Sequence, residues 1–265
     1  MSTGATPDPK VAVLLYHNVG PLIPGTNKWL TVSPCNFERH VRWLARHGYV
    51  GISARQWLNH LHGQGELPKK PVMLTFDDGY QHLAEHAFPV LRQYGFSAAV
   101  FVVTGLIGRT NAWDEATGDS AMRLLDADEL RYWAGMGIEF GAHSRTHADL
   151  RKLRGMALCE QVAGSHAELE RVLGREICAF AYPYGLYDNE VRAAVAEAFP
   201  LCFSVDGKMN DSKTDPLHMR RTMVLPQDNT TDIRFRVAWG WSPRAGVLSM
   251  AADWRNRILR RSPYE

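Results

Sequence analysis

The chain has 265 residues, 45% of them hydrophobic, a formal net charge of +2 and four cysteines. This length buries one sizeable core and suits a single α/β domain, and the near-neutral balance excludes a nucleic-acid footprint from charge alone. No apolar run approaches the ~18 residues of a membrane span, and "MSTGATPDPK" at the N-terminus lacks the basic and apolar regions of a secretory signal.

Short apolar runs then alternate with helical patterns. "VAVLLYH" (Val11–His17) reads as a buried strand. In "SPCNFERHVRWLARHG", Ser33 and Pro34 form a start signal, Gly48 a stop, and Phe37, Val41 and Leu44 share one helical face. "SARQWLNHLHG" predicts a helix capped by Ser53. "VMLTF" (Val72–Phe76) is a strand, and "QHLAEHAFPVLRQYG" a helix ended by Gly95 and kinked or broken at Pro89. "SAAVFVV" (Ser97–Val103) is a third clear strand. "DADELRYWAGMG" opens on Asp126 with Glu129 three residues on, a capping box. "IEFGAHS" is a strand, Met156–Leu173 a long helix before Gly174, "ICAFAYPYG" a strand, "DNEVRAAVAEAF" a helix and "LCFSV" a strand. Strands alternating with helices predict a parallel sheet. About seven such units favour a closed barrel, whose chemistry lies in the loops after the strands.

Those loops hold His17, then Asp77 and Asp78 before Gly79, then "HSRTH" with His143 and His147, then "YPYG", Tyr182 to Gly185. Taken singly, Asp-Asp-Gly is a turn with an N-cap, and the histidines are hydrogen-bonded loop residues. Taken together, two imidazoles and a carboxylate are a common ligand set for a catalytic divalent cation with open positions. Successive residues leaving a strand point in different directions. One aspartate can therefore hold the metal while the other acts as base on water that the metal acidifies.

"TFDDG", "HSRTH" and "YPYG", in this order, resemble the polysaccharide deacetylases of carbohydrate esterase family 4, the NodB homology domain, over roughly Val11 to Leu225. The resemblance implies a distorted (β/α)7 TIM-like barrel and metal-dependent removal of acetyl groups from N-acetylated sugars. Zn2+ is the default ion, and Co2+, Ni2+, Mn2+ or Fe2+ suit the same ligands. By the resemblance, Asp77 is the general base, Asp78, His143 and His147 are the metal ligands, and the backbone N–H of Tyr184 serves the oxyanion. Ala181 stands where many members carry an arginine beside the base, so Arg221 or Arg220 in "LHMRRTMV" is a substitute or a solvated surface arginine. The family's late Asp-x-x-Asp-Trp motif is missing; "SVDGKMND" stands near its place. For the general acid, His17 in "LLYHNVG" is similar to the early Tyr-His motif of the poly-N-acetylglucosamine deacetylase branch, and His218 in "PLHM" is its rival. His17 is preferred because it directly follows a strand.

"GLIGRTNAWDEATGD" (Gly105–Asp119) suits a loop over the site, with Trp113 as a sugar platform or a rim-packing ring; Tyr182 is a second candidate substrate contact. From Thr231 the chain carries seven arginines and three acids, with Trp239, Trp241 and Trp254 interleaved. Residues 231–265 are thus expected as a basic helical extension of one domain spanning 1–265. It packs on the barrel with its arginines outside, or rests peripherally on an anionic membrane. Cys35, Cys159, Cys178 and Cys202 form no CxxC pair and are expected as reduced, buried thiols in a cytoplasmic protein, free or membrane-associated through that extension. The expected partner is an N-acetylated glycan or glycan precursor. A deformylase or cyclic-amide (ureide) hydrolase on the same scaffold, and a non-catalytic glycan-binding module, are the alternatives.

Overall fold

The computed structural model describes residues 8–117 and 120–242. The chain runs β1 (Ala12–Tyr16), β2 (Asn18–Val19), β3 (Thr31–Val32), α1 (Pro34–Arg46), β4 (Val50–Gly51), α2 (Ala54–Leu61) and β5 (Pro71–Phe76). A π-helical turn, Leu83–Ala87, leads into α3 (Phe88–Gln93), followed by β6 (Ala99–Val102), α4 (Ala127–Gly135), β7 (Glu139–Ala142) and α5 (Gly155–Leu173). Then come β8 (Ala179–Ala181), α6 (Asn189–Ala198), β9 (Leu201–Phe203), β10 (Thr222–Met223) and α7 (Thr230–Trp239).

The local signals act as the sequence predicts. Ser33 accepts from the Asn36 N–H at the start of α1, and Ser53 with Gln56 and Asp126 with Glu129 form full capping boxes. Gly174 ends α5 at φ 64. Pro89 breaks its helix: it sits in the first turn of α3, where its missing N–H costs nothing, and the turn before it widens to π geometry.

The sheet order is β10-β1-β5-β6-β7-β8-β9, every neighbouring pair parallel, with β4 alongside the start of β5. Met219 closes the ring. Its N–H donates to Cys202 O (2.7 Å) and its carbonyl accepts from Ser204 N (2.9 Å), joining β9 to the segment that enters β10. The result is a distorted (β/α)7 barrel.

Side chains alternate between two cores. Leu14, Tyr16, Leu74, Phe76, Phe180 and Tyr182 face the helices. Val13, Met73, Phe101, Ala181, Phe203 and Met219 fill the barrel interior. The interior is tight: a Cβ on Gly141 would come within 2.6 Å of Ala179 O and 2.7 Å of the Phe101 ring, so only glycine fits. Counting on by twos, the next inward positions are His17 after β1, Asp77 after β5, His143 after β7 and Arg221 on the way into β10. The barrel's period alone aims four polar side chains at one mouth.

Two expectations need correction. Arg236 of α7 is not on the solvent side: it is 1% exposed and paired with the buried Asp228 at 2.6 Å, while Ile233 and Val237 join the outer core. Of the four free cysteines, Cys178 and Cys202 are buried but Cys35 and Cys159 are exposed, because the latter two fall on the outer faces of helices. Residues 243–265, including Trp254 and "AADWRNRILRR", lie outside the described residues. Among the described residues no helix is long and apolar enough to cross a membrane.

Candidate active site

A cavity of about 330 Å3 opens at the strand C-termini, lined by His17, Asp77, Asp78, His143, His147 and Arg221, with Trp113, Asp114, Tyr184 and Trp241 on its walls. The backbone that delivers these groups is strained. Among the described residues, the non-glycine positions with positive φ are Asp78 (72°), Ser144 (61°), His147 (60°) and Tyr184 (59°), all in the loops that build this mouth. Left-handed backbone at such residues persists only where the surroundings over-determine it. Gly79 is part of the device: it follows Asp78 at φ 76, and a Cβ there would come within 2.8 Å of Val102.

Three buried side chains converge as a metal trio. The candidate ligand atoms of Asp78, His143 and His147 lie within 4.8 Å of one another. Asp78 Oδ1 is 3.4 Å from His147 Nε2 and 3.7 Å from His143 Nε2. Ligand atoms around one cation at ~2.1 Å sit roughly 3.0–3.4 Å apart, so both Asp78 distances are at or near that spacing. Asp78 Oδ1 is buried and has no hydrogen-bond partner in the protein, which is what a metal ligand awaiting its ion requires. His143 Nδ1 lies 2.7 Å from the Ala181 carbonyl, which can only accept, so the ring proton sits there and Nε2 keeps a lone pair. His147 Nδ1 meets the Tyr184 hydroxyl at 3.1 Å, and the Trp113 ring stacks on His147 with centroids 4.7 Å apart.

Charge balance points the same way. Burial, then the charges of Asp77 and Asp114, push the Asp78 carboxyl well above the usual carboxylate range. Burial lowers His143, and burial with the neighbouring His143 holds His147 well below its ordinary value. The trio is short of positive charge, and a divalent cation is the group that fits it.

Asp77 is treated differently. Arg221, 0% exposed, meets it with two parallel bonds, Nη1 to Oδ1 at 2.6 Å and Nη2 to Oδ2 at 2.8 Å. The Arg221 Nε–H donates to Ser204 O at 3.0 Å, and the guanidinium lies against Phe101 and Phe203, 5.5 and 5.9 Å from the ring centroids. Burial works to raise the Asp77 carboxyl, but Arg221, His143 and His17 outweigh it and the net shift is downward. Asp77 thus stays charged beside the trio, with Oδ2 3.9 Å from His143 Nε2.

Arg221, rather than Arg220, answers the alanine at 181: Arg220 points to a partly exposed ion pair with Asp206, at 3.9 Å. His17 lines the cavity, half-buried, and burial lowers its pKa to about 4 against the opposing pull of Asp77. His218 does not line the cavity; it is held between the Tyr187 hydroxyl and Asp206, 3.1 Å from the latter. Tyr182, expected as a substrate contact, is 0% exposed and faces the helices, with its hydroxyl donating to Leu217 O at 3.1 Å. Its parity with Phe180 already fixes that side. The walls formed by Leu30, Met223 and Trp241 carry no motif that marks them in the sequence.

A (β/α)7 barrel with an Asp-His-His trio and an arginine-paired aspartate at its mouth has the architecture of a metal-site hydrolase. The class narrows on comparison with known proteins. The model of the family described as polysaccharide deacetylase matches residues 64–199, and the chain belongs to that family. The YxkH protein of Bacillus subtilis (strain 168) is 26% identical over 70% of this chain and 60% of its own length, so the chain spans about three-fifths of that relative. The poly-beta-1,6-N-acetyl-D-glucosamine N-deacetylase of Staphylococcus aureus (strain MSSA476) is 23% identical over 73% of this chain and 68% of its own. The fold is shared with the Streptococcus pyogenes deacetylase PplD, solved with acetate, at a TM-score of 0.75, 23% identity and coverage of 86% of this chain and 97% of that one. IcaB from Ammonifex degensii gives a TM-score of 0.71 at 24% identity, covering 88% and 97%.

Proposed function

We propose that the protein is a metal-dependent N-deacetylase acting on N-acetylhexosamine units of a polysaccharide, oligosaccharide or lipid-linked glycan. One observation carries this reading: the orphaned Asp78 Oδ1 between two Nε2 atoms, next to an aspartate held ionised by a buried arginine. A binding module needs no such pair of differently tuned carboxylates. The poly-beta-1,6-N-acetyl-D-glucosamine N-deacetylase among the relatives supports the substrate class.

Asp78, His143 and His147 would hold the cation, Zn2+ by the donor set, with Co2+, Ni2+, Mn2+ or Fe2+ as substitutes. When bound, it supplies a Lewis acid that acidifies water and polarises the acetyl carbonyl. Asp77 removes the proton of the attacking water. Its pairing with Arg221 fixes both carboxylate oxygens and keeps the base ionised before the reaction starts. As the carbonyl carbon becomes tetrahedral, the Tyr184 N–H donates to the growing oxyanion. The amide C–N bond then breaks as His17 protonates the leaving nitrogen, giving acetate and a free amine. His17 gives up one proton as Asp77 takes one, and exchange with solvent resets both; burial opposes the protonated form of His17 while the Asp77 charge favours it. Trp113, on the cavity wall, is the proposed platform for the sugar ring.

The test is to incubate metal-loaded protein with acetylated oligosaccharides and lipid-linked sugars and to follow free amine and acetate by mass spectrometry. Acetate released in step with amine supports the proposal. Formate or ring-opened ureide in its place would assign the alternative hydrolase, and glycan binding with no release at all would assign the binding module.

A further inference from the structure

The two histidine ligands flank a three-residue turn, Ser144-Arg145-Thr146, with left-handed backbone at Ser144 and at His147. Inside the turn, the His147 N–H donates to Ser144 Oγ at 3.0 Å. From the β6 side, Thr104 N and Gly105 N donate to the carbonyls of Ser144 (3.1 Å) and Arg145 (2.9 Å). On the other side, α5 holds the backbone N–H groups of the turn through one atom, while its Glu160 and Glu168 pair with the Arg145 side chain. Gln161 Oε1 accepts from Arg145 N at 3.2 Å, Thr146 N at 3.0 Å and Thr146 Oγ1 at 3.2 Å. Three donors on one atom identify it as the oxygen end of the amide.

We infer that Gln161 is a positioning residue for the metal centre: its carbonyl oxygen sets the turn that fixes the spacing of His143 and His147. The inference rests on the metal reading above. Glu168 reinforces the clamp from two helical turns further on, bonding Arg145 Nε at 2.9 Å and Thr104 Oγ1 at 2.7 Å. Without the Gln161 oxygen, the N–H groups of Arg145 and Thr146 can turn to water. The fold has no reason to fail, because the turn lies at the barrel mouth and Gln161 is only half-buried. What is lost is preorganisation: strained left-handed residues relax unless held, and the cation must then reassemble its own site. Groups one step behind a ligand typically alter metal affinity by about 10–100-fold.

The experiment compares zinc binding by metal-stripped wild type, Gln161→Met and Gln161→Glu, titrated against a competing chelator, with thermal unfolding of each metal-free protein alongside. Methionine keeps the shape and removes the acceptor; glutamate keeps the acceptor. The zinc dissociation constant of Gln161→Met should rise at least about tenfold, with Gln161→Glu within about threefold of wild type and similar metal-free melting for all three. Equal zinc affinity in wild type and Gln161→Met would overturn the assignment, as would an equal loss in Gln161→Glu. A wild type that takes up no zinc would instead remove the metal reading, and this inference with it.

Discussion

Arg221 and Asp77 lie 144 positions apart in the chain, yet their side chains are locked in a planar, two-bond fork at 2.6 and 2.8 Å inside the barrel mouth. Replacing Arg221 by methionine leaves Asp77 buried without its cation. Breaking a buried pair from one side typically costs about 3–5 kcal/mol, and urea unfolding of the metal-free protein should show a loss of that order. A loss under ~1 kcal/mol would mean that the fork contributes no more than a surface ion pair.

The pair also makes a pH prediction. Asp77 is depressed in the folded protein, so its contribution to stability is present above the ordinary aspartate value and is lost as pH falls through the folded value. In Arg221→Met, burial, the largest influence, is opposed only by His143 and His17; the shift is expected to reverse, so that protonation on acidification stabilises the variant relative to its unfolded chain. The stability gap between wild type and Arg221→Met should therefore narrow as pH falls towards the ordinary aspartate value when both are unfolded metal-free. A gap that widens with acid would contradict the assigned direction.

Asp77→Asn removes the proposed base and leaves the trio intact. Turnover should fall by about 10²–10⁴, the usual worth of a general base, while one zinc per chain is retained by elemental analysis. An asparagine variant of near-normal rate would assign the base elsewhere.

Chelation should abolish acetate release and zinc should restore it. His147→Ala should fail that rescue at zinc concentrations sufficient for wild type, since two of three ligands make a far weaker site. Activity unaffected by exhaustive chelation would refute a role for the cation in turnover.

Tyr182→Phe serves as a contrasting control. Losing the hydroxyl bond to Leu217 O should cost about 1 kcal/mol of stability and leave KM unchanged, because the ring never reaches the cavity. A several-fold rise in KM at unchanged stability would restore Tyr182 as a substrate contact.

Much of this site is legible in the amino-acid sequence. The strand-end positions of His17, Asp77, His143 and Tyr184 follow from apolar runs and their punctuation, and the two-residue period aims His17, Asp77 and His143 inward. The same rule, applied from Phe180, turns Tyr182 outward. Arg221 is reachable only as one of two neighbouring arginines, because the chain between β9 and β10 has no strand pattern to set parity; Met219, paired with β9, supplies it in space. Gln161 leaves no signal. It is a polar residue on a half-exposed helical face, well downstream of His147, and its meaning lies in three contacts across space. For Trp113 the sequence allows two roles, sugar platform or rim packing; it stacks on His147 at the cavity wall, which is rim packing, and the platform role stays a proposal.

The seam at Met219 gives the molecule an order of completion. The three candidate ligands lie between residues 78 and 147, whereas the guanidinium that pairs with Asp77 comes later in the chain, on the approach to β10. Asp77 is therefore paired only across the seam, by a stretch of chain that follows the whole trio in sequence.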